Sequence, residues 1–299
     1  MQLGVVGLGR MGTGLVRRLL DRGHTVVGYD LSQQQVDQVA RAGAAAARSL
    51  EDLVRQLDAP RAVWVMVPHG DPTAQAIESL LQSLQSGDVL VDGGNSRYTD
   101  SVKHAARCRE RDVHFLDVGV SGGVWGEKDG FNLMIGGLAE VVARMQPIFE
   151  ALTPSGGYAH VGANGAGHFV KMIHNAIEYA MLQAVGEGFE CMRRSEFDLD
   201  LRQIAELWQQ GAVVRSWLLE LLGRALKDEG NALDHIGDHV DDSGTGRWAI
   251  EYAVEHGIPV TALSVALYER FDSRLPTRYA HQVIAALRKQ FGGHAVRDA

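Results

Sequence analysis

The sequence predicts two domains. An α/β domain with a doubly wound, mostly parallel sheet covers residues 1–163, and an all-α domain covers residues 164–299. Three observations predict this. Short Val-, Leu- and Ile-rich runs alternate with helical stretches as far as about Gly162. Beyond that point strand signals stop, and apolar residues recur at helical spacing almost to the end. The first strand also runs into a glycine-spaced turn that opens a helix, the arrangement expected at the start of a βαβ unit. The chain is 45% hydrophobic with seven prolines, so both domains can bury a core and no long disordered segment is expected.

The first strand, Leu3–Val6, leads into Gly7-Leu8-Gly9-Arg10-Met11-Gly12, and the helix that follows carries Leu15, Val16, Leu19 and Leu20. In such a turn Gly7 permits the reversal, Gly9 lets a pyrophosphate approach the backbone, and Gly12 lets helix and strand pack closely. Amides at the helix N-terminus then face the phosphates. The second strand, Thr25–Tyr29, ends on Asp30. A strand before the turn, a helix after it and an acid closing the next strand together form the Rossmann dinucleotide fingerprint. Gly7, Leu8, Gly9, Arg10, Met11, Gly12 and Asp30 are therefore expected to bind cofactor. A carboxylate at position 30 hydrogen-bonds ribose hydroxyls and repels a 2′-phosphate, and Leu31 and Ser32 bring no arginine. NAD is favoured over NADP. Ser32 is also placed to cap the next helix.

Further strands are expected at Arg61–Pro68, closed by a loop His69-Gly70-Asp71-Pro72, then at Asp88–Asp92 and His114–Gly119. Val67 lies where the first of these approaches the cofactor. Ligands in open α/β sheets sit at the carboxyl ends of strands. That places Gly93-Gly94-Asn95-Ser96 and Ser121-Gly122-Gly123 beside a nicotinamide, with Asn95 near both cofactor and substrate. Free amides in a Ser-Gly-Gly turn suit a carboxylate or phosphate; ordinary glycine turns are the plainer alternative. Late strands are expected at Asn132–Gly137 and Tyr158–Val161. Helices then follow: one from about residue 166 through Lys171, and others near 200–210, 213–228, 246–256, 260–272 and 277–290.

Lys171, His174, Asn175 and Glu178 stand at i, i+3, i+4 and i+7, one face of a helix whose remaining residues are largely apolar. A buried ion-pair stripe is one explanation. The other is a catalytic face, with Lys171 and Glu178 as an acid–base pair and the amide and imidazole hydrogen-bonding a polar substrate.

Composition excludes several classes. The net charge of −8 argues against general affinity for nucleic acid or anionic membranes. Two distant cysteines read as reduced thiols, and the twelve histidines form no metal-ligand spacing, so no metal is expected. No leader or membrane span is apparent, and a cytoplasmic address is expected.

From Gly7–Gly12 through Asp92–Ser96, Gly119–Gly123, Leu133–Gly137, Lys171–Tyr179, Gly244–Trp248, Tyr268–Arg270 and Arg288–His294, the chain resembles the 6-phosphogluconate dehydrogenases of the β-hydroxyacid dehydrogenase superfamily. Its length is similar to the short form, with one helical unit where longer members have two. The resemblance implies a mechanism. Lys171 takes the C3 hydroxyl proton as hydride leaves C3 for nicotinamide, then supports decarboxylation as an acid, and Glu178 protonates C1 of the pentose as the enol becomes the ketopentose. His174 and Asn175 would complete the catalytic face. Ser121, Gly122 and Gly123 would hold the substrate carboxyl end, with Asn95 on its hydroxyls. Tyr179, Thr245 and Arg270 would bind the phosphate.

Arg288 and His294 are similar to family residues that enter a neighbouring subunit's site, which implies a homodimer or homotetramer. Taken alone, they read as a solvated helix-end charge and a tail residue. Long NADP-dependent members have alanine at the position of Gly9 and an asparagine–arginine pair near Asp30, so this chain again favours NAD. Such members carry a phosphate-binding lysine where this chain has Ser243, with Arg247, Arg270 and Arg288 left to compensate. Alternatives are a non-decarboxylating, hydroxyisobutyrate-type dehydrogenase, an enzyme for unphosphorylated gluconate, and a non-catalytic NAD sensor. Glu178 speaks against the first, since pure oxidation needs no acid for carbon. Ser243 keeps the second open. The pairing of Lys171 with Glu178 argues against the third.

Overall fold

The structure, a computed structural model, describes residues 1–292 and residue 295. The chain divides into two compact units, Met1–Asn175 and Ala176–Ala299.

The first unit is built on strands β1 (Gln2–Val6), β2 (Thr25–Tyr29), β3 (Ala45–Ala46), β4 (Ala62–Val65), β5 (Val89–Asp92), β6 (His114–Ser121), β7 (Asn132–Gly136) and β8 (Tyr158–Gly162). They form one sheet in the order β3-β2-β1-β4-β5-β6-β7-β8. Every pairing is parallel except β6 with β7. Both faces of a parallel sheet must be covered, and the sequence supplies alternating apolar residues for each. On one face Leu3, Val5, Trp64, Val91, Leu116, Val118 and Val120 pack with Leu15, Val16 and Leu19 of α1 (Arg10–Asp21). On the other, Val6, Val63, Val65 and Leu90 pack with residues of α3 (Leu50–Arg55), α4 (Asp71–Leu80) and α5 (Tyr98–Arg109). The remaining helices here are α2 (Gln33–Arg41), α6 (Gly126–Asp129), which follows a 3₁₀ turn at Gly123–Trp125, and α7 (Ala139–Leu152).

Each expected strand is found, with ends that differ by up to a few residues, but the short β3 at Ala45–Ala46 is not among those the sequence predicts, and β6 runs on to Ser121. β4 stops at Val65, and the expected loop at Asp71-Pro72 is instead the first turn of α4. Proline is well tolerated there because its missing N–H would be unpaired anyway. Ser32 stands at the N-cap of α2, but its hydroxyl makes no capping bond.

Helix α8 (Ala166–Arg193) begins in the first unit and continues into the second. The second unit continues with α9 (Leu201–Trp208), α10 (Trp217–Glu229), α11 (Thr245–Glu255), α12 (Thr261–Asp272) and α13 (Tyr279–Gly292). Asp200 and Ser216 cap α9 and α10 by accepting from Gln203 and Leu219 main-chain N–H groups. Phe189, Leu201, Ala205, Leu219 and Leu226 form one small core, and Tyr179, Ala266 and Leu267 form another.

Candidate active site

At the carboxyl end of β1, Gly7 has φ +92° and its N–H donates to the Tyr29 carbonyl at 2.9 Å. A Cβ at Gly7 would fall 2.5 Å from the Met66 carbonyl oxygen, and one at Gly12 would fall 2.0 Å from that of Gly7. Neither position admits a side chain. Gly9 has open space where a Cβ would stand, so a ligand can reach the backbone there. The Asp30 carboxylate accepts from the Leu8 N–H at 2.6 Å and the Ser32 N–H at 2.8 Å. One acid therefore ties the glycine turn to the end of β2. Arg10 is exposed, while Met11 and Val67 are half-buried at the rim of this turn. The arrangement fits a dinucleotide.

The loop after β5 is shaped by Asp92. Its fully buried carboxylate accepts from Gly94 N–H at 2.9 Å and Ser96 hydroxyl at 2.7 Å. Asn95 follows at φ 54°, a region asparagine tolerates better than most residues. Its Oδ1 accepts from Val120 N–H at 2.9 Å and its Nδ2 donates to the Val120 carbonyl at 3.2 Å. The amide thus extends the sheet across to β6, leaving one N–H and one lone pair for a ligand. Next along β6 is Ser121, whose hydroxyl lies 3.4 Å from His174 Nε2. His174 Nδ1 is 3.0 Å from Asn175 Oδ1. Gly122 and Gly123 both have positive φ, at 112° and 53°. Lys171 is 6% exposed, and its Cβ lies against Gly119, where an added Cβ would come within 2.4 Å. Asn95, Ser121, Lys171, His174 and Asn175 all belong to the first unit.

Glu178 is half-buried on α8, two turns beyond Lys171. In the second unit, buried Tyr179 accepts from Ser243 N–H at 3.0 Å. Ser243 Oγ lies 3.2 Å from the phenol oxygen and 2.9 Å from Thr245 Oγ1. The Arg270 guanidinium stacks 3.5 Å from the Tyr179 ring centroid and donates to the Asp241 carbonyl at 2.7 Å. Three hydroxyls and one guanidinium thus converge. Arg247, expected to help replace the missing lysine, is instead held by Asp242 through two 2.9 Å bonds, and Arg274 meets the same carboxylate at 3.0 Å. The arginine contacts hold the Asp242 carboxyl down at a pKa of about 2. Arg288 is exposed on α13, and His294 lies outside the described residues.

Sequence reasoning missed Asp117, Asp92 and Asp242, whose carboxylates organise backbone or cations around these groups. The available signal was an acid inside or ending an otherwise apolar strand, since such a group must be paired when buried. Among the described residues no cluster of His, Cys, Asp and Glu is arranged to hold a metal ion, and no helix is long and apolar enough to cross a membrane.

Comparison with known proteins agrees with this geometry. The profile of the NAD-binding domain of 6-phosphogluconate dehydrogenase matches residues 2–162, and that of the enzyme's C-terminal domain matches residues 167–293. The NAD(+)-dependent, decarboxylating 6-phosphogluconate dehydrogenase of Haloferax volcanii is 45% identical over 297 residues, covering 99% of this chain and 98% of that one. The solved 6-phosphogluconate dehydrogenase of Plasmodium falciparum aligns with a TM-score of 0.84 at 26% identity, over all of this chain and 66% of that one. A 3-hydroxyisobutyrate dehydrogenase of Mycobacterium tuberculosis shares the fold, with a TM-score of 0.73 at 23% identity over 96% of this chain and 99% of the other. Matched by family profiles along nearly its whole length, the chain belongs to the 6-phosphogluconate dehydrogenase family and is an oxidoreductase.

Proposed function

We propose that the protein catalyses NAD-preferring oxidative decarboxylation of 6-phospho-D-gluconate to ribulose 5-phosphate and CO2. The observation that carries this reading is the face of α8, where a buried lysine and a carboxylic acid lie two turns apart. NAD, when bound, supplies the hydride acceptor. The glycine turn and Asp30 would hold it, with Arg10, Met11, Val67 and Asn95 alongside. Lys171 in its neutral form takes the proton from the C3 hydroxyl. The resulting β-keto acid loses its carboxylate because the ketone accepts the electron pair as an enol. Lys171, now an ammonium, donates a hydrogen bond to the developing oxyanion. Glu178 delivers a proton to the carbon that has lost CO2, which becomes C1 of the ketopentose as the enol collapses to the ketone. Ser121 and the amides of Gly122 and Gly123 hold the substrate carboxylate, while Asn95, His174 and Asn175 address its hydroxyls.

In this reading Tyr179, Thr245 and Arg270 bind the phosphate, with Ser243 as a third hydroxyl. One observation favours a second reading, oxidation of unphosphorylated gluconate. No lysine stands at position 243, and Asp242 neutralises Arg247 and Arg274. We place the division between cofactor and catalytic domains at 163/164, just past the last strand. We place the protein in the cytoplasm, where Cys108 and Cys191 would remain the free thiols seen here.

The test supplies 6-phosphogluconate or gluconate with NAD or NADP and follows reduced nicotinamide and CO2 together. The expected result is matched NADH and CO2, fastest with 6-phosphogluconate and NAD. Preference for gluconate selects the second reading, and NADH without CO2 removes the decarboxylating role of Glu178. Lys171→Ala should lower turnover about 10²–10⁴-fold while NAD affinity stays within about twofold; near-normal turnover in that variant would remove the base assignment.

A further inference from the structure

Three alternate residues of β6 meet successive turns of α8. The Asp117 carboxylate, fully buried, accepts from Gly165 N–H at 2.7 Å and His168 N–H at 3.0 Å. These are amides at the start of the helix that have no partner within it, and the N-terminal end of a helix favours the negative charge. Two residues on, Gly119 leaves the gap filled by the Lys171 side chain. Two residues further, Ser121 reaches His174. The four residue steps from 117 to 121 span about 13 Å of strand, and the nine steps from 165 to 174 rise about 13.5 Å along the helix. Strand and helix therefore keep step over this length.

Glycines close the remaining distance. A Cβ at Gly167 would fall 2.2 Å from the Asp117 carbonyl oxygen, and one at Gly136 would fall 2.6 Å from Asp117 Oδ1. On its other side the first turn is held by buried His168, whose Nδ1 lies 2.7 Å from the Ser101 hydroxyl on α5.

We propose that Asp117 and Gly119 are positioning residues for Lys171. Asp117 fixes the height and rotation of the first turn of α8 against β6, and Gly119 fixes how closely the lysine stem approaches the strand. This inference rests on the reading of Lys171 as the base. An error of about 1 Å in placing a reacting group can cost about 10²-fold in rate, which is the size of effect expected when this seat is disturbed.

The experiment compares Asp117→Asn and Gly119→Ala with the wild-type enzyme. The asparagine turns an NH2 group toward one of the two donor amides. The alanine pushes directly on Lys171 Cβ. Turnover is normalised to NAD-binding sites titrated in the same preparation, so loss of folded protein does not enter. The deuterium isotope effect is measured with substrate labelled at the carbon that gives up hydride. Turnover per NAD-binding site should fall about 10²-fold, with NAD affinity within about twofold of wild type and an isotope effect at least as large. Turnover per site within about threefold of wild type in both variants overturns the proposal. So does loss of NAD binding together with turnover, which would make Asp117 a support of the whole domain. An isotope effect falling toward one would move the defect to a step other than the chemistry, with the same consequence. A wild-type enzyme that forms NADH without CO2 counts against the decarboxylating reading alone, because the hydroxyl proton must still be removed by a placed base.

Discussion

The carboxylate of Asp30 serves two functions that substitution can separate. Its oxygens hold the glycine turn through Leu8 N–H, and in the proposed function its charge repels a 2′-phosphate. Asp30→Asn keeps an acceptor oxygen but removes the charge, so the preference for NAD over NADP should narrow by about tenfold or more, as loss of about 1.4 kcal/mol of repulsion requires. Titration of both cofactors reads the ratio, and an unchanged ratio would limit Asp30 to holding the turn. Residues of this kind were legible in the sequence because their position after a strand already has a chemical meaning. Lys171, His174, Asn175 and Glu178 were legible because polar groups at helical spacing contradict their apolar surroundings. Asn95 was legible only in part. Its place at a strand end was visible, but the pairing of its amide with Val120 depends on β5 and β6 being neighbours. Asp117 looked like one more residue of a strand until its two main-chain donors, 48 and 51 residues later in the chain, were in place.

Among the elements, the strands were the most legible, since β-branched runs bounded by glycine admit few other readings. The helices α2 to α5 were less so: they are short, and their exposed faces are dominated by Gln, Asp, Glu and Arg. The start of α11 shows what sequence could not reveal. Gly244-Thr245-Gly246 marks a helix opening, but the fixing of the preceding loop by Asp242, Arg247 and Arg274 is a tertiary event. The folded-state pKa of Asp242, about 2, lies below the ordinary 3.8. Its contribution to stability is therefore complete above about pH 4 and is lost as pH falls through about 2. Asp242→Asn should destabilise the protein by about 1–3 kcal/mol at pH 7. The difference in urea midpoint between variant and wild type should shrink between pH 4 and pH 2. A difference independent of pH would show that packing, rather than charge, makes the contribution.

At the scale of the whole molecule, α13 leaves Val283, Ile284 and Leu287 38%, 53% and 56% exposed on one side. A monomer has little reason to show water such a stripe, which supports burial of this helix against a second copy. Leu287→Asp should reduce the assembled mass, read by light scattering, from a multiple of 32.5 kDa toward one chain. A wild-type protein that is monomeric at micromolar concentration would remove the idea. Helix α8 is a single run of 28 residues. Loops elsewhere can gain or lose residues with little effect on what they connect. In the proposed mechanism Lys171 and Glu178 must share one face of the helix, so no such freedom exists between them. One inserted residue would turn everything beyond it by about 100° and advance it by about 1.5 Å. This is the stretch where a change in length, unlike a change in residue type, has no mild form.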